Sequence, residues 1–430
     1  MWSLDGSIKI REVFTRVQTR GYRCLKSIDQ ELGRFRALVG PNASGKTTFL
    51  EVIALMSDLM RRRGDVIGAI QEQSSTFQKL LWMGQGSACQ LAVEAEIPET
   101  IRTRLAEGLQ SHTHVRYELE IGEESGVVAL NHETLWLITP PRTKTVRQVD
   151  LFPSEQDAMP NILTRQGVGR KVAVKKNPGG NDNYYNEGKR KTFNPSFKLG
   201  RGKSALANLP ADAENFPVSS WFRDYLEQGV SPFVLNSQDI KRPSPPGQQR
   251  RFRTDGTNLP WVIDELRGHK KKFDSWLGHV RTALNDIKDI TTIERPEDRH
   301  RYLVIEYENG AQVPSWLASD GTLRLLALTI PAYLSDITGT FLIEEPENGI
   351  HPRALETVLQ SLRSIYDGQV LIATHSPVAL NLIEPSQILC FAKDSLGATD
   401  IVSGERHPAL RDWKRGEPDL GVVFATGILS

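Results

Sequence analysis

The sequence predicts an α/β fold that combines a mostly parallel sheet, an antiparallel β lobe and a helical or loop-rich insertion. Three short, uninterrupted apolar runs, Phe341–Glu344, Val370–Thr374 and Ile388–Ala392, are typical of parallel strands buried on both faces. Alternating apolar residues between Ala88 and Ile138 predict the antiparallel lobe. Between about residues 140 and 260 the pattern weakens and Pro, Gly and Asn become frequent, which is typical of loops.

Size and composition limit the class of protein. At 430 residues the chain exceeds the roughly 250–300 at which a single core stops growing, so we expect one elaborated domain or two to three lobes. No run approaches the ~18 apolar residues of a membrane span, and the first residues do not resemble a signal peptide. Three cysteines without short spacing predict neither a disulfide framework nor a zinc site. We therefore expect a cytoplasmic protein without a membrane partner.

The N-terminal part begins with short strands and one helix. Alternating apolar residues predict strands over Ile8–Val17, Ile28–Leu32 and Phe35–Val39, and an apolar face predicts a helix over Lys46–Met60. The antiparallel lobe is expected to follow, with one helical stretch near Ile101–Leu109. Its four predicted strands are Ala88–Ile97, Val115–Ile121, Val127–Leu130 and Thr134–Ile138.

Basic residues are concentrated in Asn161–Ser204. This stretch carries +9 within a chain of net charge +1, so the remainder carries −8 in total. Three readings stay open: a surface that binds DNA or RNA, a solvated loop, and a docking surface for an acidic protein. Four aromatic residues would stack on bases in the first reading, namely Tyr184, Tyr185, Phe193 and Phe197. Five further basic residues would extend the patch, namely Lys241, Arg242, Arg250, Arg251 and Arg253.

Regular patterns return in the C-terminal part. A helix is expected with one apolar face formed by Phe273, Trp276, Leu277, Val280, Leu284 and Ile287. A second helix, opened by Pro352, is expected to bury Leu355, Val358, Leu359, Leu362 and Ile365. No internal repeat occurs, and no heptad run is long enough for a coiled-coil arm.

The run GPNASGKT between a strand and a helix predicts a phosphate-binding loop. Its glycines let backbone N–H groups curl round a phosphate at the positive end of the helix dipole. Lys46 would reach the β- and γ-phosphates of ATP, and the Thr47 hydroxyl would bind Mg²⁺. The expected nucleotide-binding residues here are Gly40, Pro41, Asn42, Ala43, Ser44, Gly45, Lys46, Thr47 and Thr48.

Two acids, Glu344 and Glu345, stand at the end of the apolar run that begins at Phe341. A carboxylate at the end of a buried strand is where a P-loop enzyme holds Mg²⁺, and Glu344 occupies that place. Glu345 would then orient and deprotonate the attacking water. Without the phosphate loop, two solvated surface acids would be the better interpretation.

Two further sites carry weaker signals. His375 follows another buried strand and would hydrogen-bond the γ-phosphate, although a core histidine with a backbone partner is the alternative. Ser319 and Gly321 precede a Leu-rich helix, where they would form either an anion site or an ordinary N-cap.

Taken together, these motifs resemble the ATP-binding-cassette heads of SMC and RecF-like ATPases. They resemble more closely the stand-alone AAA proteins related to the ATPase domain of OLD nucleases. The similarity covers most of residues 8–60 and 260–430. It is carried by GPNASGKT, DGTNLPWVIDEL, ASDGTLRLLAL, FLIEEPENGIHP, IATHSP and the closing LGVVFATGIL.

The resemblance implies a P-loop NTPase fold of ABC/SMC-head type. Residues 1–150 would form the N-terminal half of the head, 151–259 the basic insertion and 260–430 the C-terminal half. It also implies a head-to-tail dimer or a larger assembly of dimers. Ser319 and Gly321 of one chain would complete the ATP site of the other, and Asn348 and Gly349 would cross the interface.

Three departures from the family pattern stand out. Asp320 replaces a second small residue, and Glu344 replaces the commoner Asp. The glutamine that usually links the metal to the adjoining lobe has no clear position, with Gln85 and Gln90 as candidates.

The leading functional hypothesis is an ATPase whose dimer controls a separately encoded nuclease or toxin, in bacterial anti-phage defence by family analogy. The alternative is a RecF- or SMC-like DNA-repair ATPase that binds DNA directly. A transporter subunit fits less well, and a chromosome scaffold is disfavoured by the missing coiled coil.

Overall fold

The computed structural model of the protein describes residues 13–139, 160–190, 192–248, 251–335 and 337–407. Described residues within 1–33, 43–230 and 391–401 form one compact unit, called unit 1. Those within 34–42, 231–390 and 402–430 form a second, called unit 2. The expected closing motif LGVVFATGIL lies outside the described residues.

The described residues contain seventeen strands and ten α-helices. The strands are β1 Phe14–Tyr22, β2 Leu25–Glu31, β3 Phe35–Val39, β4 Ala88–Glu96, β5 His114–Glu124, β6 Val127–Ile138, β7 Arg170–Lys176, β8 Asp182–Tyr184, β9 Ser196–Phe197, β10 Val230–Phe233, β11 Ile287–Glu294, β12 Arg301–Tyr307, β13 Gln312–Pro314, β14 Gly339–Glu344, β15 Gly368–Thr374, β16 Ile388–Lys393 and β17 Thr399–Ser403. The helices are α1 Lys46–Arg61, α2 Val66–Gln73, α3 Glu99–Arg102, α4 Pro217–Asp224, α5 Ser237–Lys241, α6 Leu259–Gly268, α7 Lys270–Ala283, α8 Asp320–Thr329, α9 Pro352–Arg363 and α10 Pro377–Leu382.

Unit 1 is built on an eight-stranded sheet in the order β2-β1-β4-β5-β6-β7-β8-β9. The neighbouring strands pair antiparallel, so the expected antiparallel lobe is present. The two strands expected between Val127 and Ile138 form one strand, β6. Pairing with β5 continues through a register shift beside Glu120, because one extra residue is accommodated as a bulge.

The basic stretch 161–204 is more ordered than the sequence analysis expected. It contributes β7, β8 and β9 to the sheet of unit 1. In β7, Ala173 and Val174 are buried while Lys171 and Lys175 are exposed, and Ala173 lies at a register shift in the pairing with β6. The loops or mobile insertion expected for this stretch therefore include three short strands, because a minority of apolar residues is enough to bury short elements.

A buried carboxyl anchors part of this segment. Glu187 accepts hydrogen bonds from the backbone N–H groups of Val218 and Ser219 at the start of α4. Its burial raises the pKa of this carboxyl to about 7, against the lowering effect of the Ser219 hydroxyl and the two backbone N–H groups. The charged segment is thus tied to the apolar core of unit 1.

A six-stranded sheet has the order β10-β14-β15-β3-β16-β17, and its strands β14, β15 and β3 belong to unit 2. The pairs β14–β15, β15–β3 and β16–β3 are parallel, which confirms the mostly parallel sheet. A separate three-stranded sheet has the order β11-β12-β13. Helix α9 starts at Pro352, as expected, and buries Leu355, Val358, Leu359 and Leu362.

One helix is shorter than the sequence pattern indicated. Helix α7 ends at Ala283, so Leu284 and Ile287, expected on its apolar face, lie outside it. Ile287 instead begins β11, where it is fully buried. Both side chains still contact the core of unit 2, which is why their spacing resembled a helix face. None of the helices in the described part of the chain has the length and hydropathy that crossing a bilayer requires.

Candidate active site

Three parallel strands bring the predicted motifs to one edge of the sheet in unit 2. The register pairs Glu344 of β14 with Ala373 of β15, and Thr374 of β15 with Val39 of β3. Gly40, Glu345 and His375 are the residues that follow directly. Because parallel strands end at the same side, these three lie along one edge, called the carboxyl edge below.

The loop that leaves β3 at this edge has the curled backbone of an anion site. Gly40, Ala43 and Gly45 have φ values of 154°, 61° and 104°. A non-glycine residue in the left-handed region, such as Ala43, is strained, and such strain is concentrated at functional sites. Helix α1 begins at Lys46, directly after the loop, so its N-terminal N–H groups face the same turn.

The residues of this loop fit a phosphate group. Ser44 is 1% exposed, and its Oγ has no hydrogen-bond partner among the described residues. A buried hydroxyl without a partner is unfavourable unless a ligand supplies one. Lys46 is also buried, whereas Pro41, Asn42 and Thr47 are exposed and Thr48 is half-buried. The loop thus offers a lysine, hydroxyls and backbone donors within one turn.

The two acids occupy different environments. Glu344 is exposed at the end of β14, while Glu345 is half-buried and has a left-handed φ of 46°. The Glu345 N–H donates to the Ala373 carbonyl at 2.8 Å, and its carboxylate accepts a hydrogen bond from the Asn348 side chain. Because of this turn, the Glu345 side chain does not follow the alternating side-chain directions of β14.

His375 lies between two carboxylates. Its Nδ1 is 3.4 Å from Oε1 of Glu345 and 3.4 Å from Oε1 of Glu347. This Nδ1 makes no hydrogen bond within the described residues. The imidazole is about two-fifths exposed, so it is not the core histidine of the alternative interpretation.

Sequence reasoning missed Glu347. Its Oε1 accepts hydrogen bonds from the Thr374 hydroxyl at 2.8 Å and from the His375 N–H at 2.9 Å. Its side chain is only 13% exposed, although it follows Glu345 by two residues in a polar turn. The third acid in FLIEEPE was the only available signal, and nothing local shows that it points to the histidine strand.

The start of α8 packs on the turn that follows the two acids. Ser319 is the N-cap of α8, and its Oγ accepts the Thr322 N–H at 3.1 Å. A Cβ added at Gly321 would lie 2.5 Å from the Gly349 carbonyl oxygen. Gly321 is therefore required for this close approach, and the two motifs form one surface of unit 2. Asp320, which departs from the family pattern, pairs with Lys241 of α5 at 2.5 Å.

Gln90, one of the two glutamines considered for the link between the metal and the adjoining lobe, uses its side-chain amide within unit 1. The Gln90 amide donates to Glu120 at 2.7 Å, and its carbonyl accepts from the Ile162 N–H at 3.2 Å, so both ends are used in unit 1. Gln85 lies in the irregular segment before β4.

A P-loop site needs few protein ligands to bind Mg²⁺. No group of three or more His, Cys, Asp and Glu side chains that could hold a metal occurs in the described ranges. Mg²⁺ in such enzymes is bound through one hydroxyl and one carboxylate together with phosphate oxygens and waters. Thr47 and Glu344 are residues of those two types, so the donor set fits.

A curated protein shares a short segment of sequence with this chain. A 41-residue segment is 51% identical to an OLD nuclease of Thermus scotoductus (strain ATCC 700910 / SA-01), covering 10% of this chain and 8% of that protein. The chain thus matches less than a tenth of that relative's length.

One solved structure shows a similar fold at low sequence identity. An SMC head bound to the C-terminal winged-helix domain of ScpA has a TM-score of 0.51 at 11% identity, covering 93% of this chain and 99% of that one. An SMC head from Pyrococcus furiosus with an extended coiled coil has a TM-score of 0.48 at 11% identity, covering 91% and 96%.

The fold is that of a P-loop NTPase of the ABC/SMC-head type. A family model matches residues 35–381, which include every motif at the carboxyl edge. The chain therefore belongs to the family described as "AAA domain, putative AbiEii toxin, Type IV TA system".

Proposed function

We propose that the protein binds and hydrolyses ATP with Mg²⁺ at the loop formed by residues 40–48 and the carboxyl edge. The observation that carries the proposal is the register of β14, β15 and β3, which aligns Glu344, Glu345, His375 and the start of the loop. The unpartnered Ser44 hydroxyl and the left-handed loop backbone support it. Mg²⁺, when bound, neutralises charge that develops on the phosphates.

Each residue then has a defined role. Lys46 contacts the β- and γ-phosphates, and Thr47 with Glu344 holds the metal ion. Glu345 orients the attacking water and accepts its proton, since its turn places it beside His375. His375 hydrogen-bonds the γ-phosphate through the edge of its ring.

Nucleotide binding by a Lys46→Ala variant tests the proposal. Removing the charge should weaken Mg²⁺·ATP binding at least about tenfold, because hydrogen bonds to charged groups are among the strongest. Isothermal titration would measure the affinity, with Lys198→Ala, an exposed lysine in unit 1, as the control. Equal affinities for Lys46→Ala and wild type would refute the site.

We further propose that the ATP-bound form is a head-to-tail dimer that controls a separately encoded nuclease or toxin in the cytoplasm, in anti-phage defence. The surface shared by Gly321 and Gly349 supports the dimer, because it presents both expected interface motifs together. The family description names a toxin and a toxin–antitoxin system, and the relative in Thermus scotoductus is a nuclease. Co-purification with the product of a neighbouring gene, with and without ATP, would test this part.

Direct nucleic-acid binding, as in a RecF- or SMC-like repair ATPase, is the second candidate. Six exposed basic residues of unit 1 have no acidic partner among the described residues: Arg165, Arg170, Lys171, Lys175, Lys189 and Lys198. Lys171 lies 5.7 Å from the Tyr185 ring centre, and Phe193 is 83% exposed. These features favour a polyanion over a fully neutralised surface.

Two residues of the basic stretch are buried and cannot bind nucleic acid as the sequence suggested. Tyr184 is fully buried, with its hydroxyl donating to the Ala205 carbonyl at 3.1 Å, so it cannot stack on a base. Lys176 is buried in an ion pair with Asp182 at 3.0 Å. Lys191 and Arg250 lie outside the described residues.

A further inference from the structure

The hairpin formed by β16 and β17 ends against the phosphate loop. Its turn is held by Asp394, whose Oδ1 accepts the N–H groups of Leu396 at 2.9 Å and Ala398 at 2.7 Å. The Asp394 N–H donates to the Ala398 carbonyl at 2.8 Å. These bonds place Thr399, the first residue of β17, at a defined position.

Thr399 connects two distant segments of unit 1. Its N–H donates to the Cys24 carbonyl at 3.0 Å, and its hydroxyl donates to the Ser44 carbonyl at 2.9 Å. Thr399 is 5% exposed, so the hydroxyl bond is shielded from water. Without the Thr399 hydroxyl, the buried Ser44 carbonyl would lose this donor, and an unsatisfied buried acceptor lowers the free energy of unfolding.

The bond sets the direction of a donor in the loop. The Ser44–Gly45 peptide is planar, and in a trans peptide the carbonyl and the N–H point to opposite sides. Holding the Ser44 carbonyl toward Thr399 therefore directs the Gly45 N–H away from Thr399. In loops of this type the backbone N–H groups are the donors that surround the phosphate.

The close packing of Gly45 against Thr399 supports the same position of the loop. A Cβ built on Gly45 would lie 2.3 Å from Thr399 Oγ1 and 3.1 Å from Cys24 Sγ. Gly45 also has φ of 104°, which a side chain would strain. The loop is thus packed directly on Thr399 and cannot shift toward β17.

We propose that Thr399 is a positioning residue of the phosphate loop, which orients the Ser44–Gly45 peptide so that the Gly45 N–H faces the nucleotide phosphates. The proposal rests on the proposed ATP binding. It makes the C-terminal hairpin part of the nucleotide site, although no local motif marks Thr399.

Thr399→Val and Thr399→Ser separate the hydroxyl from the rest of the side chain. Valine keeps the shape and removes the donor, whereas serine keeps the donor. Thr399→Ala is measured alongside. It also lacks the hydroxyl, so it replaces the valine variant if that variant does not fold. Thr139→Val is the matched control, because the Thr139 hydroxyl also donates to a backbone carbonyl of unit 1, that of Ser111, at 3.0 Å.

The readouts are Mg²⁺·ATP affinity by titration and the separate KM and kcat of ATP hydrolysis. Loss of one hydrogen bond should weaken affinity and raise KM about tenfold in Thr399→Val and Thr399→Ala. The value of kcat should stay unchanged, because the donor acts equally on ground and transition states. Thr399→Ser and Thr139→Val should match wild type.

Wild-type affinity in Thr399→Val would overturn the proposal, and so would an equal loss in Thr399→Ser. A fall in kcat without a change in KM would also overturn it, because that result indicates a structural effect on the fraction of active protein. If wild type and Thr139→Val bind no ATP, the proposed function itself fails, and this inference fails with it.

Discussion

At the residue scale, Glu345 occupies a strained backbone position at the proposed ATP site. Its left-handed φ of 46° is unfavourable for a residue with a side chain. The backbone bond to Ala373 and the side-chain bond from Asn348 hold it there. The resulting turn brings its carboxylate within 3.4 Å of the His375 ring, which the straight continuation of β14 would not produce.

Glu345→Gln should keep ATP binding and lose turnover, because the amide cannot accept the proton of the attacking water. The expected product is a stable ATP-bound dimer, detected by gel filtration with light scattering in Mg²⁺·ATP. Glu356→Gln on α9 is the control, since Glu356 is exposed. If Glu344→Gln gives the trapped dimer instead, the roles of the two acids are reversed.

Glu347→Gln should lower kcat about tenfold to hundredfold while ATP affinity stays near wild type. Glutamine can still accept from Thr374 and the His375 N–H, but it removes the negative charge beside the imidazole. Steady-state kinetics and titration of the same preparation measure the two quantities, again with Glu356→Gln as control. Unchanged kcat would mean that Glu347 only supports the backbone.

At the element scale, β7 exposes two lysines of the basic stretch. Lys171 and Lys175 are both exposed, and a register shift between them pairs Lys171 with Leu137 and Lys175 with Thr134 of β6. Arg190, Arg201 and Lys203 of the same stretch pair with Glu214, Glu124 and Asp65. The uncompensated charge is therefore smaller than the +9 of the sequence and partly confined to the strand.

Neutralising Lys171 and Lys175 together with glutamine should weaken binding to a nucleic-acid oligomer. If both lysines contact phosphates, the salt slope should fall by roughly 0.7–0.9 per contact. Fluorescence anisotropy near physiological ionic strength measures the slope, because low salt exaggerates any basic surface. Arg190→Gln is the matched control, since its charge is already paired with Glu214.

Basal ATP turnover should be unaffected in the double variant. If its affinity and salt slope equal those of wild type, β7 is not a nucleic-acid surface. Loss of an acidic partner protein from the purified complex, with nucleic-acid binding unchanged, would instead favour the docking interpretation.

At the scale of the whole molecule, the proposed dimer makes each ATP site depend on two chains. Lys46→Ala damages the phosphate loop, and Ser319→Glu places a negative charge at the start of α8. Each variant alone should be inactive. In a head-to-tail dimer, a mixed pair should contain one site with neither change, so an equimolar mixture should regain about a quarter of the wild-type activity.

ATPase assays after subunit exchange measure this recovery. A mixture of Lys46→Ala with Lys46→Ala/Ser319→Glu is the control, since no pairing of these chains restores the lysine. If the first mixture stays as inactive as its components, Ser319 does not act across an interface.

The sequence by itself determined the phosphate loop, the strand-end acids, the histidine and the family resemblance. These features are local: a glycine-rich turn, an uninterrupted apolar strand and a helix start each depend on a few adjacent residues. The same reasoning located α1, β3, β14, β15, β16 and α9 to within a few residues. The roles of these residues in ATP binding and hydrolysis, the dimer, the effector and the defence role remain predictions.

Only the tertiary structure decided which of these residues meet. Nothing near Thr399 predicts a bond to Ser44, which is 355 residues away, and nothing in FLIEEPE shows that Glu347 turns toward His375. Tyr184 looked like a base-stacking residue until packing buried it. The physical reason is that strand order and burial arise from contacts between distant segments, which compete for the same apolar surface and hydrogen-bond partners and leave no local pattern.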